Sequence, residues 1–129
     1  MPITTRAIIA LDAPAPVSRY AQAFETTGAT RVLYVSGQIP VSVTGDVPKA
    51  FAAQCRLCWA NIEAQLRAAH MALANIVKVT IFLSDRRYAI ENREIRQEVL
   101  GDHTPALTAI ITGIFDEAWL LEIEAIAAA

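Results

Sequence analysis

The stretch "IVKVTIFL", residues 76–83, alternates between two kinds of side chain. The odd-numbered residues from Val77 to Leu83 are aliphatic, whereas Lys78, Thr80 and Phe82 carry an amine, a hydroxyl and a ring. Successive side chains of a strand point to opposite faces, so the aliphatic set would pack on a core and the other set would not. The stretch therefore predicts a strand in a sheet with one core face and one face of mixed chemistry.

Segments with helical periodicity flank this strand on both sides. Upstream, one apolar stripe recurs at intervals of three and four residues and predicts a helix of about five turns; it comprises Phe51, Cys55, Cys58, Ile62, Leu66 and Ala69. Pro48 suits the first turn of this helix, and Gln54 lies off the stripe. Downstream, Asp85 is the predicted N-cap of a second helix, from Tyr88 to about Leu100.

Further strands are predicted over residues 31–36, 106–112 and 119–127, where β-branched or alternating apolar residues lie between turn signals. The full order is two or three strands, a helix, a strand, a helix and two strands. This order predicts an α+β fold, with a mixed β-sheet covered on one face by two helices. We expect residues 1–129 to form a single domain.

The uncovered face of this sheet predicts a subunit interface. It would carry charged and apolar side chains together, namely Lys78, Thr80, Phe82, Glu122, Glu124 and Ile126. Such a face is too apolar for open water and too charged for an ordinary core. The composition, 54% hydrophobic and 19% charged, also favours a homo-oligomer over a monomer of this size.

Composition and charge also exclude several classes of partner. No run approaches the roughly 18 uncharged residues of a membrane span, and the N-terminal residues lack the pattern of a signal peptide. The net charge is -2, without a basic cluster, which argues against nucleic-acid binding. Two cysteines without an export signal are typical of a reducing, cytoplasmic setting.

Several short motifs, in order along the chain, resemble one known family. They are "YVSGQIPV", "TGDVP", "IVKVTIFLSD", "TPA" and "LEIEAIA", and the similarity runs from about residue 13 to residue 127. Together they are similar to the Rid family (YjgF/YER057c/UK114) of enamine/imine deaminases. The resemblance implies a chorismate-mutase-like fold and a homotrimer whose barrel core is the open sheet face. It also implies three inter-subunit clefts that bind a small-molecule substrate, with no cofactor and no metal.

The resemblance also implies which residues line the cleft. The expected substrate-binding positions are a tyrosine of the second strand, a serine-glycine pair, an asparagine of the second helix and the residues after "PA", here Tyr20, Ser36, Gly37, Asn92, Leu107 and Thr108. Glu124 is the expected catalytic residue, positioning the water that attacks the imine carbon. The alternative for Glu124 is a structural ion pair. For Asn92 the alternative is an amide that satisfies neighbouring backbone.

Leu107 departs from the family pattern, because the family has at this position an arginine that grips a substrate carboxylate. Residues 105–114 contain no arginine or lysine. Arg19, Arg31 or His103 could substitute for that cation, or they could be surface residues without a role. The leucine predicts a substrate that lacks the usual α-carboxylate or presents an apolar group there.

The "CRLC" motif, Cys55 to Cys58, has the spacing of a redox or zinc site. Both cysteines lie on the apolar stripe in mid-helix, where no helix N-terminus would lower a thiol pKa. His70 and His103 match no zinc-finger spacing. We therefore expect packing, not redox chemistry or metal binding.

Two classes of function are consistent with these residues. The first is an imine or enamine hydrolase with a non-standard substrate, and the second is a non-catalytic module that binds a small ligand. Retention of Tyr20, Ser36, Asn92 and Glu124 favours the enzyme. A role in RNA cleavage is the least favoured, because the chain is acidic and has no basic patch.

Overall fold

The computed structural model describes residues 2–129 and contains six strands and two α-helices. In chain order they are β1 (Thr4–Ile8), β2 (Ala23–Thr27), β3 (Val32–Gln38), α1 (Phe51–Ala68), β4 (Ile76–Leu83), α2 (Ala89–Leu100), β5 (Ala106–Ile111) and β6 (Leu121–Ala128). The predicted order of elements is confirmed, with three strands before α1.

The central sheet has four strands in the order β3-β6-β4-β5. β4 and β5 are parallel, and the two other pairings are antiparallel, so the sheet is mixed as predicted. The parallel pair follows from the α2 crossover between its strands. β1 and β2 form a separate antiparallel pair, joined to β5 by a bridge between Ala21 and Ala106.

Both helices pack on one face of the sheet. The core combines Trp59 and Ile62 of α1 with Ile95 of α2 and with the inward residues of β4 and β6. The alternation predicted for β4 holds from Val79 onward but fails at its start. A register shift between Ile76 and Lys78 buries Ile76 fully and leaves Val77 half-buried, because a bulge reverses which residue points inward.

The first helix departs from its prediction in two places. Gln54 is buried, not off the core side: its Nε2 donates to the carbonyls of Pro48 at 2.8 Å and Ala118 at 2.9 Å, and its Oε1 accepts from the Leu120 amide at 2.8 Å. Pro48 precedes the helix, which has Ala50 as its N-cap. The three bonds of Gln54 explain why a polar residue is tolerated in the core.

The other face of the sheet is open in the single chain. Tyr34 is 75% exposed and Val32 is 53% exposed. Ser36, Thr108 and Glu124 are exposed on the same face. The predicted face of mixed chemistry is therefore present. Within residues 2–129, no helix is long and apolar enough to cross a membrane.

Candidate functional site

A cavity of about 250 Å³ lies between α2, β5 and the segment that precedes β2, and we call it the α2 pocket. Three predicted site residues line it together: Tyr20, Asn92 and Leu107. These three residues come from distant parts of the chain and lie in one cavity.

The sheet register explains why Leu107 reaches this pocket. Leu107 lies opposite Val79 in the parallel β4–β5 pair, so it points to the helix layer and packs partly on the core. Tyr20 lies in a bend before β2 rather than on a strand, contrary to the expectation from the resemblance. The neighbouring Ala21 amide donates to the Pro105 carbonyl at 3.1 Å, which fixes the bend against the start of β5.

Asn92 is buried, as its place on the apolar stripe of α2 predicts. Its Oδ1 accepts a hydrogen bond from Cys55 Sγ at 3.9 Å, so the partner is a side chain and not neighbouring backbone. Burial raises the pKa of the Cys55 thiol to about 12 and raises the pKa of Cys58 further. Packing of both cysteines is confirmed, since each is fully buried and reduced.

The polar wall of the α2 pocket contains two arginines, Arg93 and Arg96. Arg96 is only 4% exposed, and its Nη2 donates to Ser18 Oγ at 3.1 Å. Burial, and then the positive charge of Arg93, lower the pKa of Arg96. Neither arginine is predicted as a site residue from the sequence. Arg96 follows Asn92 by four residues, the helical spacing that would have identified it.

The three cations considered from the sequence lie outside the α2 pocket lining. Arg31 Nη1 donates to the Ala69 carbonyl at 2.8 Å, at the C-terminal end of α1. His103 Nε2 lies 2.7 Å from the Ile76 carbonyl. Arg19 Nη2 donates to Gln97 Oε1 at 3.4 Å on the outside of α2.

The remaining predicted residues lie on the open face of the sheet. Ser36 and Glu124 line a shallow cavity of about 360 Å³ together with Tyr34 and Ile126, and we call this the face site. Thr108 is on the same face, where its Oγ1 accepts from Lys78 Nζ at 2.7 Å. Leu107 and Thr108 therefore point to opposite sides of β5, and one chain does not bring them into one pocket.

Gly37 contacts the carboxylate of Glu122, two residues from the predicted catalytic residue Glu124. A Cβ atom at residue 37 would overlap the carboxylate of Glu122, so any other residue there would require the glutamate side chain to move. The β3–β6 register shifts between Val35 and Gln38, which leaves Ser36 and Gly37 outside the regular ladder. Bulges of this kind are common beside functional sites. Glu122 thus joins Glu124 as a candidate acid–base residue.

Within the part of the chain that the structure describes, residues 2–129, no three His, Cys, Asp or Glu residues are grouped to hold an ion.

Comparison with known proteins identifies the family. Residues 10–129 match the family described as endoribonuclease L-PSP. A RutC family protein of Pyrococcus horikoshii is 36% identical over 118 residues, covering 90% of this chain and 91% of the relative. The Escherichia coli K12 protein TdcF, whose name describes a reactive intermediate deaminase, is 29% identical over 119 residues, with 89% and 90% covered.

Solved structures agree with this assignment. A Rid family protein of Yersinia pestis superposes with a TM-score of 0.83 at 21% identity, covering 97% of this chain and 98% of that one, which supports the fold. The crystal structure of Escherichia coli TdcF with bound serine has a TM-score of 0.73 at 29% identity, with 96% and 98% covered. The matched residues, the α+β fold and the relatives together show that the chain belongs to the Rid family.

Proposed function

We propose that the protein is a homotrimeric hydrolase that deaminates a small imine or enamine in clefts between subunits. The observation that carries the proposal is the division of the predicted site in one chain. Tyr20, Asn92 and Leu107 line the α2 pocket, whereas Ser36 and Glu124 lie on the open sheet face. A cleft that combines both groups needs two subunits.

The open face supplies the reason for assembly. Tyr34, Val32 and Ile110 are exposed there at 75%, 53% and 44%, beside Lys78 and Glu124. Soluble monomers rarely leave a contiguous apolar surface of this kind uncovered. Three copies that pack these faces inward form a closed assembly, in which each face site meets the α2 pocket of a neighbour.

The reaction that fits this cleft is addition of water followed by loss of ammonia. A carboxylate accepts a proton from water, the oxygen bonds to the imine carbon, and protonation of nitrogen lets the C–N bond break. The products are a carbonyl compound and ammonia. Glu122 is favoured over Glu124 as the carboxylate, because it lies against Gly37 at the bulge of β3, outside the regular β3–β6 ladder.

The test is hydrolysis of imines generated in situ from amino acids by an amino acid oxidase, with product formation compared with buffer alone. We expect Glu122→Gln to lower kcat by roughly 10²- to 10⁴-fold, the usual share of acid–base catalysis. Glu124→Gln should have a smaller effect, and Glu117→Gln, an exposed change outside both site groups, is the matched control. Parent protein that never exceeds the buffer rate with any imine would contradict the proposal.

A second candidate is a module that binds a ligand without turnover. Leu107 favours it, because the position at which the family arginine holds a substrate carboxylate here carries an aliphatic side chain. Tight binding of a carbonyl compound, combined with imine hydrolysis at the buffer rate, would favour this second function.

A further inference from the structure

We propose that Arg96 is a positioning residue that holds Tyr20 in the α2 pocket, acting through Ser18. Tyr20 and Ser18 belong to residues 14–21, the segment before β2, which we call the strap. The strap contributes Val17, Ser18 and Tyr20 to the lining of the pocket. The inference rests on the proposed function in that it explains how one half of the cleft keeps its shape. The contact itself, however, is measurable without turnover.

The strap is attached to both walls of the pocket. On the α2 side, Arg96 Nη2 donates to Ser18 Oγ at 3.1 Å. On the β5 side, the Ala21 amide donates to the Pro105 carbonyl at 3.1 Å. Tyr20 lies in the chain between these two attachments. Loss of the bond to α2 would leave the strap joined to the start of β5, free to turn about Ala21.

The Arg96 side chain is buried, which makes its bond to the strap a strong one. It is only 4% exposed, and a buried guanidinium is costly unless acceptors replace the lost water. Within residues 2–129, its side chain has one hydrogen-bond partner, Ser18 Oγ, and no ion pair. The other bond between the strap and α2, from Arg19 Nη2 to Gln97 Oε1 at 3.4 Å, is longer and joins exposed side chains. The Arg96–Ser18 bond is therefore the main attachment to α2.

Hydrogen bonds inside the strap link the position of Tyr20 to that of Ser18. The Tyr20 amide donates to the Ser18 carbonyl at 3.1 Å, and the Val17 amide donates to Tyr20 Oη at 3.4 Å. Two prolines precede this turn and restrict its backbone further. Because the ring is tied to the turn at both ends, Arg96 sets the place of the Tyr20 phenol when it holds the Ser18 hydroxyl.

Amide hydrogen exchange of the full chain, followed by NMR, tests this contact. Ser18→Ala removes the acceptor and leaves the charge of Arg96 in place, whereas Arg96→Gln removes the charged donor. We expect each change to speed exchange of the Val17 and Tyr20 amides by roughly 10- to 100-fold, the usual effect of losing a hydrogen bond to a charged group. The amides of β4, which report the stability of the whole fold, should show a smaller change. Arg67→Gln, the same change of charge on the exposed surface of α1, should alter neither.

A double-mutant cycle with Tyr20→Ala tests whether Arg96 acts through Tyr20. In imine hydrolysis, Arg96→Gln should lower kcat/KM by about 10-fold in the parent and have little further effect in the Tyr20→Ala variant, since residues that act as a unit give non-additive effects. Additive effects would mean that Arg96 acts on the substrate independently of Tyr20.

Three results would overturn the inference: unchanged exchange of the strap in both variants, an equal rise of exchange in the strap and in β4, or additive effects in the cycle. If Arg96→Gln does not fold, Ser18→Ala decides the test, because it removes a single hydroxyl group. Absence of imine hydrolysis in the parent, together with faster exchange of the strap in Ser18→Ala, would reject the proposed reaction and leave the role of Arg96 in place.

Discussion

At the scale of single residues, Leu107 and Arg96 change how the family resemblance applies to this chain. The sequence predicts that Leu107 departs from the family pattern, and the structure places Leu107 in the same pocket as Tyr20 and Asn92. A search confined to β5, however, misses the arginines on the facing helix. A family sequence pattern identifies an arginine by its position along the chain. The positive charge of a pocket, however, can come from any helix or strand that lines it.

The first prediction concerns Leu107→Arg. This change would add a third guanidinium to a pocket that already holds Arg93 and Arg96, so repulsion and desolvation should lower the melting temperature by about 3–10 °C. Differential scanning fluorimetry measures the change in melting temperature. Leu107→Met, which conserves volume, is the control. A variant as stable as the parent without ligand would refute the charge argument.

The second prediction concerns Cys55 and Cys58. Burial raises the pKa of Cys55 to about 12 and that of Cys58 further, so at pH 8 almost no thiolate is present in the folded state. Iodoacetamide should therefore label neither residue in native protein, and both in 6 M guanidinium chloride, as measured by intact mass. Rapid native labelling would show that this part of the core opens readily.

At the scale of secondary structure, sequence periodicity predicts which side chains are buried when their burial depends on the strand or helix to which they belong. The alternation of β4 and the stripe of α1 both follow from side chains that meet the core directly. The prediction fails where a residue is buried by groups that are distant from it in the sequence. Gln54 is buried because its partners are backbone groups at Pro48 and in the connection before β6, and no window around residue 54 contains the latter.

The third prediction follows from this network. Gln54→Leu keeps the side-chain bulk but leaves the Leu120 amide and two carbonyls without their partner, which should cost about 2–4 kcal/mol of unfolding free energy. Urea denaturation at one fixed protein concentration measures it. Gln65→Leu, on the exposed side of the same helix, serves as the comparison. Equal stability of the two variants would mean that Gln54 contributes little.

At the scale of the whole molecule, the fourth prediction concerns assembly. Multi-angle light scattering at micromolar concentration should give three times the 14.0 kDa chain mass. Tyr34→Glu, on the open face, should shift the mass towards that of one chain, because it adds charge to a surface that must be covered. Val43→Glu, equally exposed but in a loop, should not. A monomeric parent would refute the interface.

In the whole molecule, the places of the site residues show which parts of the site could be predicted from the sequence. Tyr20, Asn92 and Leu107, three of the positions that the resemblance implies, line one cavity within one chain. The resemblance favours Glu124 as the catalytic residue, although Glu122 faces the same side of β6 at a two-residue repeat. We propose Glu122 instead because of its contact with the bulge at Ser36 and Gly37, and such a local register shift has no clear signature in the sequence.

The division of the site between two surfaces has a consequence for genetics. If each cleft takes Tyr20 from one subunit and its carboxylate from the next, Tyr20→Ala and Glu122→Gln impair different halves of the cleft. Two inactive variants expressed together would then complement each other. With random assembly, roughly a quarter of the clefts would receive both intact halves, and about that share of parental activity should return. Mixtures that stay inactive would mean that every cleft is built from a single chain.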